Sequence, residues 1–171
     1  YGYMEQELIA KEKGKRNLRL LLQEQLKNPQ NPWLHYHIAC EYCREENYPK
    51  AFDECNMSIK KFLDSEILPP SLVYKLKYDI LIKTGNAQAA WPGIEKATAI
   101  YPDYVDLRYY MGIVLLANEQ YDRAIDSFKY CLSLREDNPQ YLTLRGTGSF
   151  LALYCLGMLS GNKSSCFFNC F

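Results

Sequence analysis

Apolar residues recur along this chain at helical spacing. Leu18, Leu21, Leu22 and Leu26 stand at i, i+3, i+4 and i+8, one stripe of an α-helix, and Asn28-Pro29-Gln30-Asn31-Pro32 stops it. Downstream, apolar stretches of the same period come in pairs, each pair joined by a short polar turn: Glu45-Glu46-Asn47, Thr84-Gly85-Asn86 and Asn118-Glu119-Gln120. Such a pair predicts an αα-hairpin. Pro32, Pro69, Pro70 and Pro102 fall between pairs, where a missing N–H costs a helix little.

The pairs are copies of one unit. Ser71–Tyr104 and Val105–Asn138 are each 34 residues long, and periods of this length signal stacked repeats. Gly85-Asn86-Ala87-Gln88-Ala89-Ala90, Ile94 and Ala97 fall over Glu119-Gln120-Tyr121-Asp122-Arg123-Ala124, Phe128 and Cys131. Upstream, Pro32–Ser65 repeats the pattern with Ala39, Tyr42, Tyr48, Ala51, Cys55 and Ser58, and Leu63–Pro70 adds five residues to the period, predicting a longer loop or an extended helix. A fourth copy opens near Phe150, keeps Leu156-Gly157 and then loses the pattern. Small residues at Ala51, Ala90 and Ala124 let paired helices approach, and Tyr42, Tyr48, Tyr121 and Phe128 are expected to fill the space around them. The expected organisation is an N-terminal helix and linker over residues 1–31 and a repeat domain over 32–171, with units at 32–65, 71–104 and 105–138 and a partial unit at 150–171. The fold class is all-α, an α-α superhelix of three hairpins with a leading helix and a trailing half-repeat.

Ala39, Tyr42, Tyr48, Ala51 and Ser58, then Pro102, Gly112, Tyr121, Ala124 and Phe128, resemble the small and aromatic signature positions of the tetratricopeptide-repeat (TPR) family over about Pro32–Gly157. The family's first tryptophan position departs, being His35, Tyr74 and Arg108. The resemblance implies a concave groove lined by positions 2, 5, 9, 12 and 13 of each first helix. Those positions are Trp33, Tyr36, Cys40, Cys43 and Arg44, then Leu72, Lys75, Asp79, Ile82 and Lys83, then Asp106, Tyr109, Ile113, Leu116 and Ala117. Rigid aromatics among isolated charges suit a peptide or helix, and the expected partner-binding set is Trp33, Tyr36, Arg44, Lys75, Asp79, Lys83, Tyr109 and Ile113. The Lys/Asn/Arg clamp by which some TPR proteins hold a C-terminal carboxylate is not reproduced, since Tyr36 and Cys40 occupy its first two positions. A finer resemblance, carried by Gly2-Tyr3, Lys15-Arg16-Asn17-Leu18, Gly146-Thr147-Gly148-Ser149-Phe150 and Leu156-Gly157, is to the TPR region that follows a family 2 glycosyltransferase domain in bacterial proteins. It implies that Tyr1 to about Gly14 is the trailing edge of an upstream domain. The transferase's Asp-x-Asp metal motif is not in these residues.

Composition narrows the chemistry. The 171 residues are 48% hydrophobic, enough to bury a core, and 20 Lys+Arg balance 20 Asp+Glu, so net charge offers no argument for nucleic acid or an anionic membrane. Apolar runs are too short for a membrane span, and seven cysteines without disulfide spacing fit a reducing, cytoplasmic compartment. His35, His37, Cys40 and Cys43 lie within nine residues and carry zinc-ligand chemistry, but on one helix His35 points away from the arc of the other three, so packing is the expectation and no metal or cofactor is assigned. Cys40-x-x-Cys43 lacks the βαβ context of a redox pair. Gly146-Thr147-Gly148-Ser149 reads as a helix start with Ser149 as N-cap rather than a phosphate loop. Lys11, Lys13, Lys15, Arg16 and Arg19, interleaved with Glu5, Glu7 and Glu12, read as a solvated helix face.

No acid–base pair or activated nucleophile is readable, so the expected role is a non-catalytic module that binds a protein or peptide, or else an accessory or dimerisation region for a bacterial glycosyltransferase. The chain starts at Tyr1 and ends inside an apolar pattern, which suggests a piece of a longer protein. Phe150, Leu153, Leu156 and Met158, with Cys166, Phe167, Phe168 and Phe171, form an apolar end expected to be covered by further sequence or to self-associate, with Phe167, Phe168 and Phe171 at the centre of a homodimer contact.

Overall fold

The computed structural model describes residues 2–161, and all regular structure among them is helical. In order these are α1 (Gly2–Lys27), α2 (Pro32–Arg44), α3 (Tyr48–Asp64), α4 (Ser71–Lys83), a 3₁₀ turn (Ala87–Ala90), α5 (Gly93–Ile100), α6 (Val105–Ala117), α7 (Tyr121–Leu134) and α8 (Phe150–Gly161). The chain divides into two compact units between Ile80 and Leu81, within α4.

The polar turns seen in the sequence share one device. Glu46, Gly85 and Glu119 each take a left-handed φ, of 58°, 72° and 59°. The next N–H then reaches back five residues: Asn47 to the Tyr42 carbonyl at 2.9 Å, Asn86 to Leu81 at 2.8 Å and Gln120 to Leu115 at 2.8 Å. This closure satisfies the last helical carbonyls and reverses the chain. Glu66 does the same after α3, with Ile67 N–H donating to the Phe62 carbonyl at 2.9 Å, so the five extra residues become a loop.

In the first unit, Asn31 caps α2 through its side chain, which accepts from Trp33 N–H at 3.0 Å, and Pro32 occupies the first turn. Ala39, Ala51, Cys55, Phe62, Val73 and Ile80 form the core, with Tyr42 and Tyr48 packed half-buried against it. Buried alanines on both helices let α2 and α3 close together, and Ser58 Oγ donates to the Pro32 carbonyl at 2.9 Å. Leu18, Leu21 and Leu22 of α1 are half-buried, but Leu26 is 84% exposed. At the end of α1 it is Gln25, one residue round the helix, that turns toward the hairpin and bonds His35 and Glu54.

In the second unit, the helix expected after Asn86 is broken. Ala87–Ala90 forms a 3₁₀ turn, Trp91 N–H bonds the Gln88 carbonyl at 3.2 Å, and an α-helix starts only at Gly93. Pro92 is the cause: it has no N–H to continue the ladder, and its ring collides with the preceding turn. Ala87, Ala90, Ile94 and Ala97 stay buried across the break, so the apolar pattern outlasts the helix. α6 is buried at every position except Arg108. Gly112 permits its close contact with α7, since a Cβ there would lie 2.5 Å from a Phe128 ring carbon. Ala124, Phe128 and Cys131 complete the contact, whereas Tyr121, expected to fill it, is 38% exposed at the first turn of α7.

Residues 135–149 form a strap tied to the start of α6. Asp106, fully buried, accepts from Leu144 N–H at 2.9 Å and Thr147 Oγ1 at 2.8 Å. Tyr104 stacks on Tyr141 at 4.4 Å and donates to the Leu142 carbonyl at 2.9 Å, and Tyr141 donates to Asp103 at 2.6 Å. Glu136 Oε1 accepts from the N–H groups of Gly146 and Gly148, at 2.8 and 2.9 Å, and from Ser149 Oγ at 2.9 Å. Ser149 does precede α8, but its hydroxyl serves Glu136 rather than the helix end.

Candidate functional site

The face predicted for partner binding starts on α2. Its Asn31 cap and Pro32 fix the first turn, and Trp33 follows, 40% exposed. The indole is held by neighbours rather than buried by them: Phe62 meets it edge-on at 5.3 Å, Tyr36 edge-on at 6.0 Å, and exposed His37 stacks on it at 6.3 Å. Tyr36 is half-buried, and burial first, then the neighbouring Cys40 thiol to which it hydrogen-bonds, pushes its hydroxyl above the ordinary tyrosine range, with Arg44 opposing. Burial also raises the Cys40 thiol, offset by the Tyr36 bond and Arg44. Arg44, exposed at the last turn, pairs with buried Glu41 one turn earlier. On α4, half-buried Lys75 and Asp79 and exposed Lys83 stand at i, i+4 and i+8, a stripe of alternating charge.

The third set of positions does not form a surface. Tyr109 is 5% exposed and Ile113 7%, because α7 and α8 cover that side of α6: Tyr109 lies against Phe128 at 5.7 Å and its hydroxyl contacts Cys155 Sγ at 3.7 Å. Asp106, Leu116 and Ala117 are buried too. These residues are core in the second unit, and Asp106 serves the strap. Phe167, Phe168 and Phe171 lie outside the described residues.

The four His and Cys side chains part company. His35 is buried and its Nδ1 sits 2.6 Å from Glu54 Oε2 and 3.0 Å from Gln25 Nε2, joining α1, α2 and α3 in one polar cluster. His37 faces solvent against Trp33, and Cys40 and Cys43 are half-buried thiols. No group of three or more His, Cys, Asp or Glu among the described residues is arranged to hold a metal. No described helix is long and apolar enough to cross a membrane. Spacing could not reveal the His35 cluster, whose partners lie 10 and 19 residues away in sequence.

Comparison with known proteins gives the fold a name. Residues 94–126, spanning α5, α6 and the start of α7, match the tetratricopeptide-repeat model. The chain has the tetratricopeptide-repeat fold. The crystal structure of YrrB, described as a TPR protein with an unusual peptide-binding site, superposes with a TM-score of 0.67 at 16% identity, over 90% of this chain and 71% of that one. The crystal structure of MamA protein gives 0.70 at 16% identity, over 90% and 75%. A MamA segment from residue 41 to its end, from Desulfovibrio magneticus RS-1, gives 0.66 at 16% identity, over 94% and 91%. No curated protein matches the chain by sequence. None of these three structures is described as a glycosyltransferase.

Proposed function

We propose that this TPR-fold chain is a protein-interaction module that takes an extended or helical partner segment on the first unit, against Trp33, Tyr36 and Arg44 of α2 and Lys75 and Asp79 of α4. The observation that carries the proposal is the state of Trp33. An indole exposed to solvent yet held by three rings loses little freedom on binding, and rigid aromatic anchors dominate protein interfaces. Flanking charges then set register and direction. The peptide-binding description of YrrB gives this use of the fold a precedent. Tyr109 and Ile113 have no part in this face. A displayed peptide library selected on the wild-type chain tests it: the selected peptides should lose at least tenfold in affinity to Trp33→Ala or Arg44→Glu while the melting midpoint stays within a few degrees. Unchanged binding to both variants defeats the proposal.

A second interaction reading has its own support on α8, where Phe150 and Leu153 are 56% and 57% exposed and Tyr154 lies beside them. This apolar face suits self-association. Phe150→Glu with Leu153→Glu should convert a wild-type dimer to monomer in sedimentation; a dimer unaffected by the change, or a wild type monomeric at high concentration, removes it. No observation in the structure favours the accessory role beside a glycosyltransferase.

A further inference from the structure

The second unit carries a cleft that the repeat pattern does not announce. Arg108, Met111 and Leu115 stand at i, i+3 and i+7 on α6, a stripe distinct from Tyr109 and Ile113, and together with α7 they border an open cleft of about 380 Å³. Ser127 Oγ donates to the Arg108 carbonyl at 2.8 Å and so ties the two helices at this point.

Arg108 is the one residue of α6 that is not fully buried, and its charge is unmatched. The guanidinium lies 4.7 Å from the centre of the Tyr130 ring and makes one long contact, 3.8 Å, to Met111 Sδ. Its Nε is buried without a hydrogen-bond partner, and it pairs with no carboxylate among the described residues. Arg123, on the same cleft, shows the contrast: Glu95 holds it at 2.8 Å, Gln120 at 2.7 Å, and the Trp91 ring lies 4.9 Å beneath it. A half-buried guanidinium at the wall of a cleft, with an unpartnered Nε–H and no carboxylate, is a seat for an oxyanion, because charge-assisted bonds to Arg are strongest away from water. Asp126 also lines the cleft, and its charge opposes a phosphate dianion more than a carboxylate. The space is larger than a carboxylate needs, and the Tyr130 ring, over buried Met111 and Leu115, offers its remainder to hydrocarbon.

We propose that this cleft binds a carboxylate carried on an apolar body, supplied by the C-terminus or an acidic side chain of a partner segment. The site is separate from the α2 face and does not depend on it. The test follows the Arg108 Nε–H signal of the ¹⁵N-labelled chain by NMR, assigned by its loss in Arg108→Lys. Hexanoate should shift it saturably, with Kd on the order of 1 mM, and the neutral isostere hexanamide should not. Inorganic phosphate should bind more weakly than hexanoate. Arg108→Lys and Arg108→Gln, each with its backbone amide spectrum retained, should weaken hexanoate at least fivefold, since neither offers the planar charged fork. Peptides then distinguish the source: acetyl-Ala-Leu-Leu with a free C-terminus against its amide, and acetyl-Leu-Glu-Leu-amide for the side chain. Equal shifts with hexanoate and hexanamide, tighter binding of phosphate, binding that survives both substitutions, or no saturable shift overturns the proposal. Saturable binding by neither acidic peptide overturns its partner-segment form.

Discussion

Helices α2 and α6 hold the same place in their repeats, yet one presents side chains to solvent and the other is almost wholly buried. In α2 only Leu34, His35, Ile38, Ala39 and Glu41 are buried, and Trp33, His37 and Arg44 are exposed. In α6 every residue but Arg108 is buried. Both begin from the same amphipathic hairpin; the difference lies in what covers them. α6 is packed by α5, α7, α8 and the strap, so positions that are surface in α2 become core. A repeat position is therefore a place on a helix, and its exposure is decided by the neighbours.

The largest test of this contrast is a pair of aromatic truncations. Phe128→Ala opens a cavity in the second unit and should cost about 3–5 kcal/mol, while Trp33→Ala should cost under about 1 kcal/mol, both read from denaturant unfolding. Equal costs would erase the distinction. Next, Gly112→Ala should destabilise by roughly 1–3 kcal/mol, because the added Cβ meets the Phe128 ring; an unchanged melting midpoint would mean that α6 and α7 have room to part. Asp106→Ala should cost about 1–3 kcal/mol by leaving the Leu144 and Thr147 donors without their acceptor, and amide exchange at Leu144 should speed up markedly. Slow exchange in the variant would show that the strap holds without it.

Two smaller effects concern titration. Burial pushes the Cys55 thiol up to about 12, moderated by Lys77, so alkylation of the folded chain near pH 8 should leave Cys55 unmodified, as mass spectrometry would show. Rapid labelling there would place it outside the core. For Glu136, desolvation raises the carboxyl, but the Gly146, Ser149 and Gly148 donors and Arg145 outweigh it and hold the group below the usual range. Its contribution is thus present above its ordinary value of 4.5 and is lost as pH falls through the lower folded value. Wild type should lose a fraction of a kcal/mol of stability on acidification below about pH 4.5 that Glu136→Gln does not lose; parallel acid profiles would contradict this.

What could be read along the chain was local. The period of apolar residues, the polar turns and the small residues at Ala51 and Ala124 specify helical hairpins, because helix and turn preferences act over a few neighbouring residues. The resemblance to the TPR family then named the fold. Even locally, one signal was outweighed: the alignment of Gly85–Ala90 with Glu119–Ala124 concealed what Pro92 does to the helix. Exposure was not local. Tyr36 stays half-open although it packs against the α3 and α4 core, and Tyr109 at the same repeat position is covered by Phe128 of α7 and Cys155 of α8. The strap, the His35–Glu54–Gln25 cluster and the unmatched Arg108 likewise exist only once residues 10 to 41 apart in sequence are brought together. Burial and charge pairing are sums over neighbours in space, and the tertiary structure alone fixes who those neighbours are.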